Sequence, residues 1–253
     1  MDFTNQNIKT NKKLRNLLLK YILSDSENSF SYFVEWEKQI VFDDLDFQSF
    51  KLLPAVHLKL PENFESRLKL RIKGAYRRTW TENQLLLNSL KTLFSALKSA
   101  KIEFIIADEN IRLIEIYNDT GIYSLQNFSI AAPISRKKEF TQILSENRWE
   151  SCKEELESTN FRQDKALNIN ILWLNDKEFA AQSKDKELVL VDNELQPIIC
   201  AEEQILNLCE EEFLISGDEK NRYQFIVSKI LQAQKIDSDK LILLAQRRGL
   251  THP

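Results

Sequence analysis

Glycine is scarce in this sequence. The 253 residues include only Gly74, Gly121, Gly217 and Gly249, and none falls in a GxxxxGK[ST] or GxGxxG pattern, which excludes phosphate loops built on glycine backbone. Histidine is scarcer still: His57 sits in an apolar helical segment and His252 in the tail, so no Ser/His/Asp or Cys/His constellation is expected. The cysteines Cys152, Cys200 and Cys209 are odd in number and never at CxxC spacing. That argues against a zinc site or a disulfide framework and in favour of buried, reduced thiols. Neither sign of charge dominates, with 35 basic against 38 acidic residues, so a general nucleic-acid footprint is excluded while a local patch is not. No apolar run reaches the roughly 18 residues of a membrane span, and the N-terminus lacks a small-residue cleavage signature. A cytoplasmic protein is expected.

What is present is the composition of a folded chain, 43% hydrophobic and 29% charged, long enough for one large or two small domains. Helical spacing marks residues 7–60, where an aromatic group (Phe30, Tyr32, Phe33, Trp36, Phe42, Phe47, Phe50) should furnish a core, any excess forming a surface for a partner. Residues 64–101 carry the strongest periodicity: Phe64, Leu68, Ile72, Ala75, Tyr76, Thr79, Trp80, Leu86, Leu87, Leu90, Phe94 and Leu97 follow helical spacing. They predict one long helix, or two joined near Gly74, with Tyr76 and Trp80 turned inward. Between Glu103 and Val191 the period moves toward two, with strands expected at 104–107, 127–132, 167–173 and 188–191 and a helix at 135–147. Helices return at 202–215, 222–233 and 237–246, and Gly249 stands where a C-terminal cap belongs. The fold class is therefore α+β: a small mixed β-sheet core, 102–198, flanked by an N-terminal helical region, 1–101, and a C-terminal one, 199–253.

The order of segments carries a family likeness. KLLPAVHLKL at 51–60, GAYRRTWTENQLLLNSLKTLFSALKSAKI at 74–102, ICAEEQILNLC at 199–209 and the closing NRYQFIVSKIL and KLILLAQRRGL resemble a bacterial nucleotidyltransferase-like family of the polymerase-β-type superfamily. The resemblance covers roughly residues 45–250 and implies a nucleotidyltransferase-like core. It also implies where the chemistry would sit, and there this chain departs from the pattern. The family's LLKG-x-AL run is matched by IIADENIRL, placing Ala107 and Asp108 at the Lys-Gly positions. Its RPMGDIDLLVP is matched by YSLQNFSIAAP, placing Gln126, Asn127 and Ser129 at Gly, Asp and Asp. Its LDLHW is matched by INILW, placing Asn170 at the third acid and Leu172 at the histidine.

Two-metal phosphoryl transfer needs carboxylates that ligate Mg²⁺ and neutralise its charge, and Asn or Ser supplies neutral, weaker ligands. Asp108 adds bulk and a charge that repels a triphosphate. The resulting expectation is a catalytically inactive protein, a pseudoenzyme acting by binding as an adaptor, assembly factor or subunit of a complex. It would have no cofactor, no metal and no catalytic residue of its own, would take a protein partner rather than nucleic acid, and would not be expected to bind a nucleotide without metal. The alternative is a divergent nucleotidyltransferase or nucleotide-dependent modifying enzyme using a relocated acidic site among Asp108, Glu109, Glu115 and Asp119. Within the basic run RLKLRIKGAYRR, Arg71, Arg77 and Arg78 are the residues expected to meet an acidic partner.

Overall fold

The computed structural model describes residues 3–24, 26–125, 128–164, 167–191, 194–214 and 220–250. His252 and the tail 251–253 lie outside the described residues. The chain begins with four helices, α1 (Phe3–Leu23), α2 (Phe30–Gln39), α3 (Phe47–Lys59) and α4 (Lys69–Ser99). There follow β1 (Ile105–Ile106), α5 (Asn110–Tyr117), β2 (Phe128–Pro133), α6 (Lys137–Glu146), β3 (Glu150–Glu154), β4 (Ser158–Gln163) and β5 (Leu167–Leu174). Then come α7 (Asp176–Lys184), β6 (Glu187–Val191), β7 (Glu194–Ile198), α8 (Ala201–Leu214), α9 (Lys220–Ala233) and α10 (Ser238–Arg247).

Local chemistry explains many of the boundaries. Asp46 caps α3 by accepting from the Ser49 amide at 2.9 Å, and the buried Arg15 guanidinium of α1 pairs with the same carboxylate at 3.1 Å. That bond ties the first and third helices through the cap of the second of them. Gly74 does not interrupt α4, because neighbours on both sides keep the helical pattern and the glycine faces open space. Asn118 ends α5 in the left-handed conformation. Gly249, at a φ of 69°, follows α10 while the Leu250 amide donates back to the Ala245 carbonyl, the closing geometry expected of a C-terminal glycine.

The strands of the described residues form one mixed sheet in the order β3-β4-β5-β2-β1-β7-β6. β2 runs parallel to β5 and antiparallel to β1, while β1 runs parallel to β7. Successive side chains on a strand point to opposite faces, and here the faces differ sharply. Phe128, Ile130, Ala132, Phe161, Ile169, Ile171, Trp173, Val189 and Ile198 join the main core with α1 to α6, α8 and α9. α7 covers part of the opposite face, its Phe179 packing on Ile105 and Ile199 beside Ala107 and Leu174. Among the described residues no helix is long and apolar enough to cross a membrane.

Several details differ from the sequence expectation. β3 shows no alternation, being exposed along its whole length. In β4 alternation is confined to Thr159 and Phe161. β7 contains Pro197, and α7 buries only Phe179. None of these elements carries a pattern long enough to betray it. Trp80 is 44% exposed because Thr79 and Asn83 take the inward positions of that turn. Phe33 and Trp36 form the core of the aromatic group, but Phe47 is exposed. Of the three thiols only Cys200 is buried; Cys152 is exposed on the edge strand β3.

Candidate functional site

Beyond α7, the same face of the sheet carries a row of polar side chains. Ser129 of β2 stands opposite Asn170 of β5, and Asn170 opposite Asn160 of β4. One step along, Asn168 stands opposite Arg162, whose Nε donates to the Asn168 Oδ1 at 3.2 Å. On the other side the Ala107 amide donates to the Ser129 carbonyl at 2.9 Å, which brings Ala107 to the end of the same row. Leu172 lies two residues beyond Asn170, opposite Ser158. The row therefore runs Ala107, Ser129, Asn170, Asn160. Ser129, Asn170 and Leu172 are half-buried, and the Asn170 Oδ1 is enclosed without a hydrogen-bond partner. An enclosed amide oxygen without a partner costs about 1–3 kcal/mol.

Gln126 and Asn127 lie outside the described residues. The loop that leads to them is held from α4. Asn83, buried in that helix, donates through Nδ2 to the Thr120 and Tyr123 carbonyls at 2.6 and 2.7 Å and accepts from the Leu125 amide at 3.0 Å. Gln84 donates to the Thr120 hydroxyl at 2.7 Å, and the Tyr76 hydroxyl donates to Asp119 at 3.0 Å. Burial, and then the hydrogen bond to Asp119, push the Tyr76 phenol up to about 12. Asn83 was not singled out from the sequence. Its signal is an amide at a core position of a long amphipathic helix, which must find partners on another element.

A groove opens beside this loop. One cavity of about 320 Å³ is lined by Phe47, Phe50, Lys51, Arg78, Glu82 and Ser124. A second, of about 270 Å³, shares Arg78, Glu82 and Ser124 and reaches Asn83, Leu125 and Asn168. Through Asn168 the groove meets the polar face of the sheet.

Among the cations expected to meet a partner, Arg71 and Arg78 are seven residues apart and share a face of α4, whereas Arg77 is turned away from them. Arg71 pairs with Asp43 at 2.9 Å and lies over the Phe42 ring. Arg78 pairs with Glu82 at 2.8 Å and lines the groove.

Three of the four acids considered for a relocated site, Asp108, Glu115 and Asp119, are engaged separately. Asp108 is buried and accepts from the Asn110 amide at 2.8 Å, over the first turn of α5. Glu115 pairs with Arg112 at 3.1 Å. Asp119 accepts from Tyr76 and from the Gly121 amide. Among the described residues no group of three His, Cys, Asp or Glu side chains comes together as a metal site would require. The donors on the open face are a hydroxyl and neutral amides, which do not fit a pair of divalent cations.

No protein-family model and no curated protein matches the chain. Solved structures do. The antibiotic-resistance factor ANT(2'')-Ia, in a solution structure described as having substrate-regulated conformational dynamics, aligns with a TM-score of 0.51 at 10% identity, over 66% of this chain and 93% of its own. The same factor in complex with adenylyl-2''-tobramycin aligns with a TM-score of 0.49 at 10% identity, over 64% of this chain and 97% of its own. The lincosamide antibiotic adenylyltransferase LnuA, bound to lincomycin, aligns with a TM-score of 0.45 at 10% identity, over 58% of this chain and 97% of its own. The first of these establishes the fold: it is nucleotidyltransferase-like. The same likeness runs against the expectation of a pseudoenzyme, because the fold is shared with an antibiotic-resistance factor whose conformational dynamics are described as substrate-regulated.

Proposed function

We propose that the protein is a divergent nucleotide-dependent modifying enzyme. Its nucleotide lies along the polar row Ser129–Asn170–Asn160, and its second substrate lies in the groove between α3, α4 and the loop ending at Leu125. The observation that carries this reading is the juxtaposition of that row, on the sheet face where α7 packs, with a groove that meets it at Asn168. Sheet positions that would otherwise be bare carry hydrogen-bonding groups of both kinds, suited to ribose hydroxyls, base edges and phosphate oxygens. The groove offers Phe47 and Phe50 for an apolar body and Lys51, Arg78 and Glu82 for its polar groups. In this reading residues 102–198 form the nucleotide-binding core, 1–101 supply the groove wall and the loop clamp, and 199–253 brace the buried side of the sheet.

The division of labour follows from rigidity. Row and clamp sit on strands and a helix, which hold donors more tightly than loops do, and positioning of two reactants is worth several kcal/mol of a transfer barrier.

The test is calorimetric titration with ATP, GTP, CTP and UTP. It is paired with mass spectrometry of mixtures holding one nucleotide and a pool of small hydroxyl- and amine-bearing acceptors, with and without Mg²⁺. Binding of at least one nucleotide and a mass increment on an acceptor are expected. Absence of binding by all four nucleotides under both conditions overturns the reading.

A further inference from the structure

We infer that the open face takes the polyphosphate of its nucleotide directly, without a divalent cation, with Arg162 in the charge-neutralising place. The inference rests on the nucleotide-binding reading above and deepens it. A carboxylate on this face would repel phosphate and tolerate it only through a bridging dication. At the described positions of the row there is no carboxylate: Ser129, Asn170 and Asn160 are neutral, and Asp108, which follows Ala107, is buried with its carboxylate accepting from the Asn110 amide. The repulsion that makes a metal necessary is therefore absent from the described row. Each asparagine amide carries two N–H donors and no charge.

The positive charge comes from a strand that sequence periodicity did not disclose. β4 places Arg162 two residues from Asn160, on the same face and roughly 7 Å away along the strand. Among the described residues its guanidinium donates only through Nε, to the neutral Asn168. Both Nη groups are left for a ligand, in the planar fork that suits phosphate oxygens. Glu150 faces Arg162 across β3 in the register but makes no ion pair with it, so the guanidinium is oriented rather than neutralised.

The experiment is calorimetric titration of the full chain with whichever of ATP, GTP, CTP or UTP binds, once in excess EDTA and once in millimolar Mg²⁺. Alongside it run Arg162→Ala and Asn170→Asp, with thermal melts to confirm that both variants fold. Affinities within about threefold of each other in the two buffers are expected. Arg162→Ala should weaken binding about tenfold in both buffers, the cost of one charge-assisted phosphate contact. Asn170→Asp should weaken binding about tenfold in EDTA, with Mg²⁺ restoring it. Binding that requires Mg²⁺ in the unaltered chain overturns the inference and leaves the nucleotide reading standing, as does an Arg162→Ala protein that binds as well as the original. Binding in neither buffer overturns the nucleotide reading itself, and the inference with it.

Discussion

Replacing Arg112 with methionine should remove about 3 kcal/mol of stability while leaving the open face intact. The guanidinium is buried at the junction of α5, β6 and α8, and its bonds are few and countable. Nε donates to the Gln204 Oε1 at 3.0 Å, Nη1 to Glu115 at 3.1 Å, and Nη2 to Glu187 at 2.5 Å and to the Ile199 carbonyl at 3.0 Å. In Arg112→Met the two acids behave differently from the other two partners. Glu115 and Glu187 are 35% and 38% exposed, and Glu187 keeps the Ala201 amide. They rehydrate, and each loses less than about 1 kcal/mol. The Ile199 carbonyl and the Gln204 amide are buried, and an acceptor stranded there costs about 1–2 kcal/mol. Methionine refills most of the volume, so the net loss is about 3 kcal/mol. For a chain of this size that lowers Tm by roughly 6–12 °C. Urea unfolding followed by tryptophan fluorescence measures it. A loss below about 1 kcal/mol would show that the cost of desolvating the cation had balanced its bonds, and the reasoning from individual partners would fail. Arg112→Lys should also destabilise, because an ammonium cannot serve acceptors arranged for a planar fork.

Two tryptophans separate core from surface. Trp36→Ala should cost about 3–5 kcal/mol and Trp80→Ala under about 1 kcal/mol in the same unfolding assay, since Trp36 is fully buried and Trp80 is not. Burial first, and then the neighbouring Lys73, hold the His57 imidazole below its ordinary value, against the opposing pull of Asp119. The unfolded chain therefore takes up a proton near pH 6.5 where the folded one does not, so stability falls as pH drops from that value toward the depressed one. In urea titrations across this window His57→Phe should lose stability less steeply on acidification than the parent, and equal slopes would refute the assignment. In native protein treated with a maleimide Cys152 should be the fastest thiol, that phase being abolished by Cys152→Ser, with the half-buried Cys209 slower. Cys200, buried and with its thiol pushed up chiefly by that burial, should react only on unfolding; fast labelling that survives Cys152→Ser would contradict the placement.

Long periodic segments were legible in the sequence because their signal is local. α4, α8 and α10 repeat their apolar positions over enough turns to specify helix without reference to neighbours, and β2 and β5 are dense enough in apolar residues to read as strands. The neutral residues at Ser129 and Asn170 could likewise be read directly, since residue type does not depend on the fold. What the tertiary structure alone decided is where those residues face and what stands beside them. β3 and β4 are held by pairing to β5 rather than by their own pattern, so Asn160 and Arg162 reach the row only after the sheet is assembled. Asp108 reads as an acid beside the row, and only the fold shows it buried with its carboxylate accepting from the Asn110 amide. Asn83 reads as an awkward amide in a helix until its three bonds to the loop before β2 are seen. Local sequence determines the period and the charge inventory; which charges meet is set by contacts between residues tens of positions apart, and no local pattern encodes those.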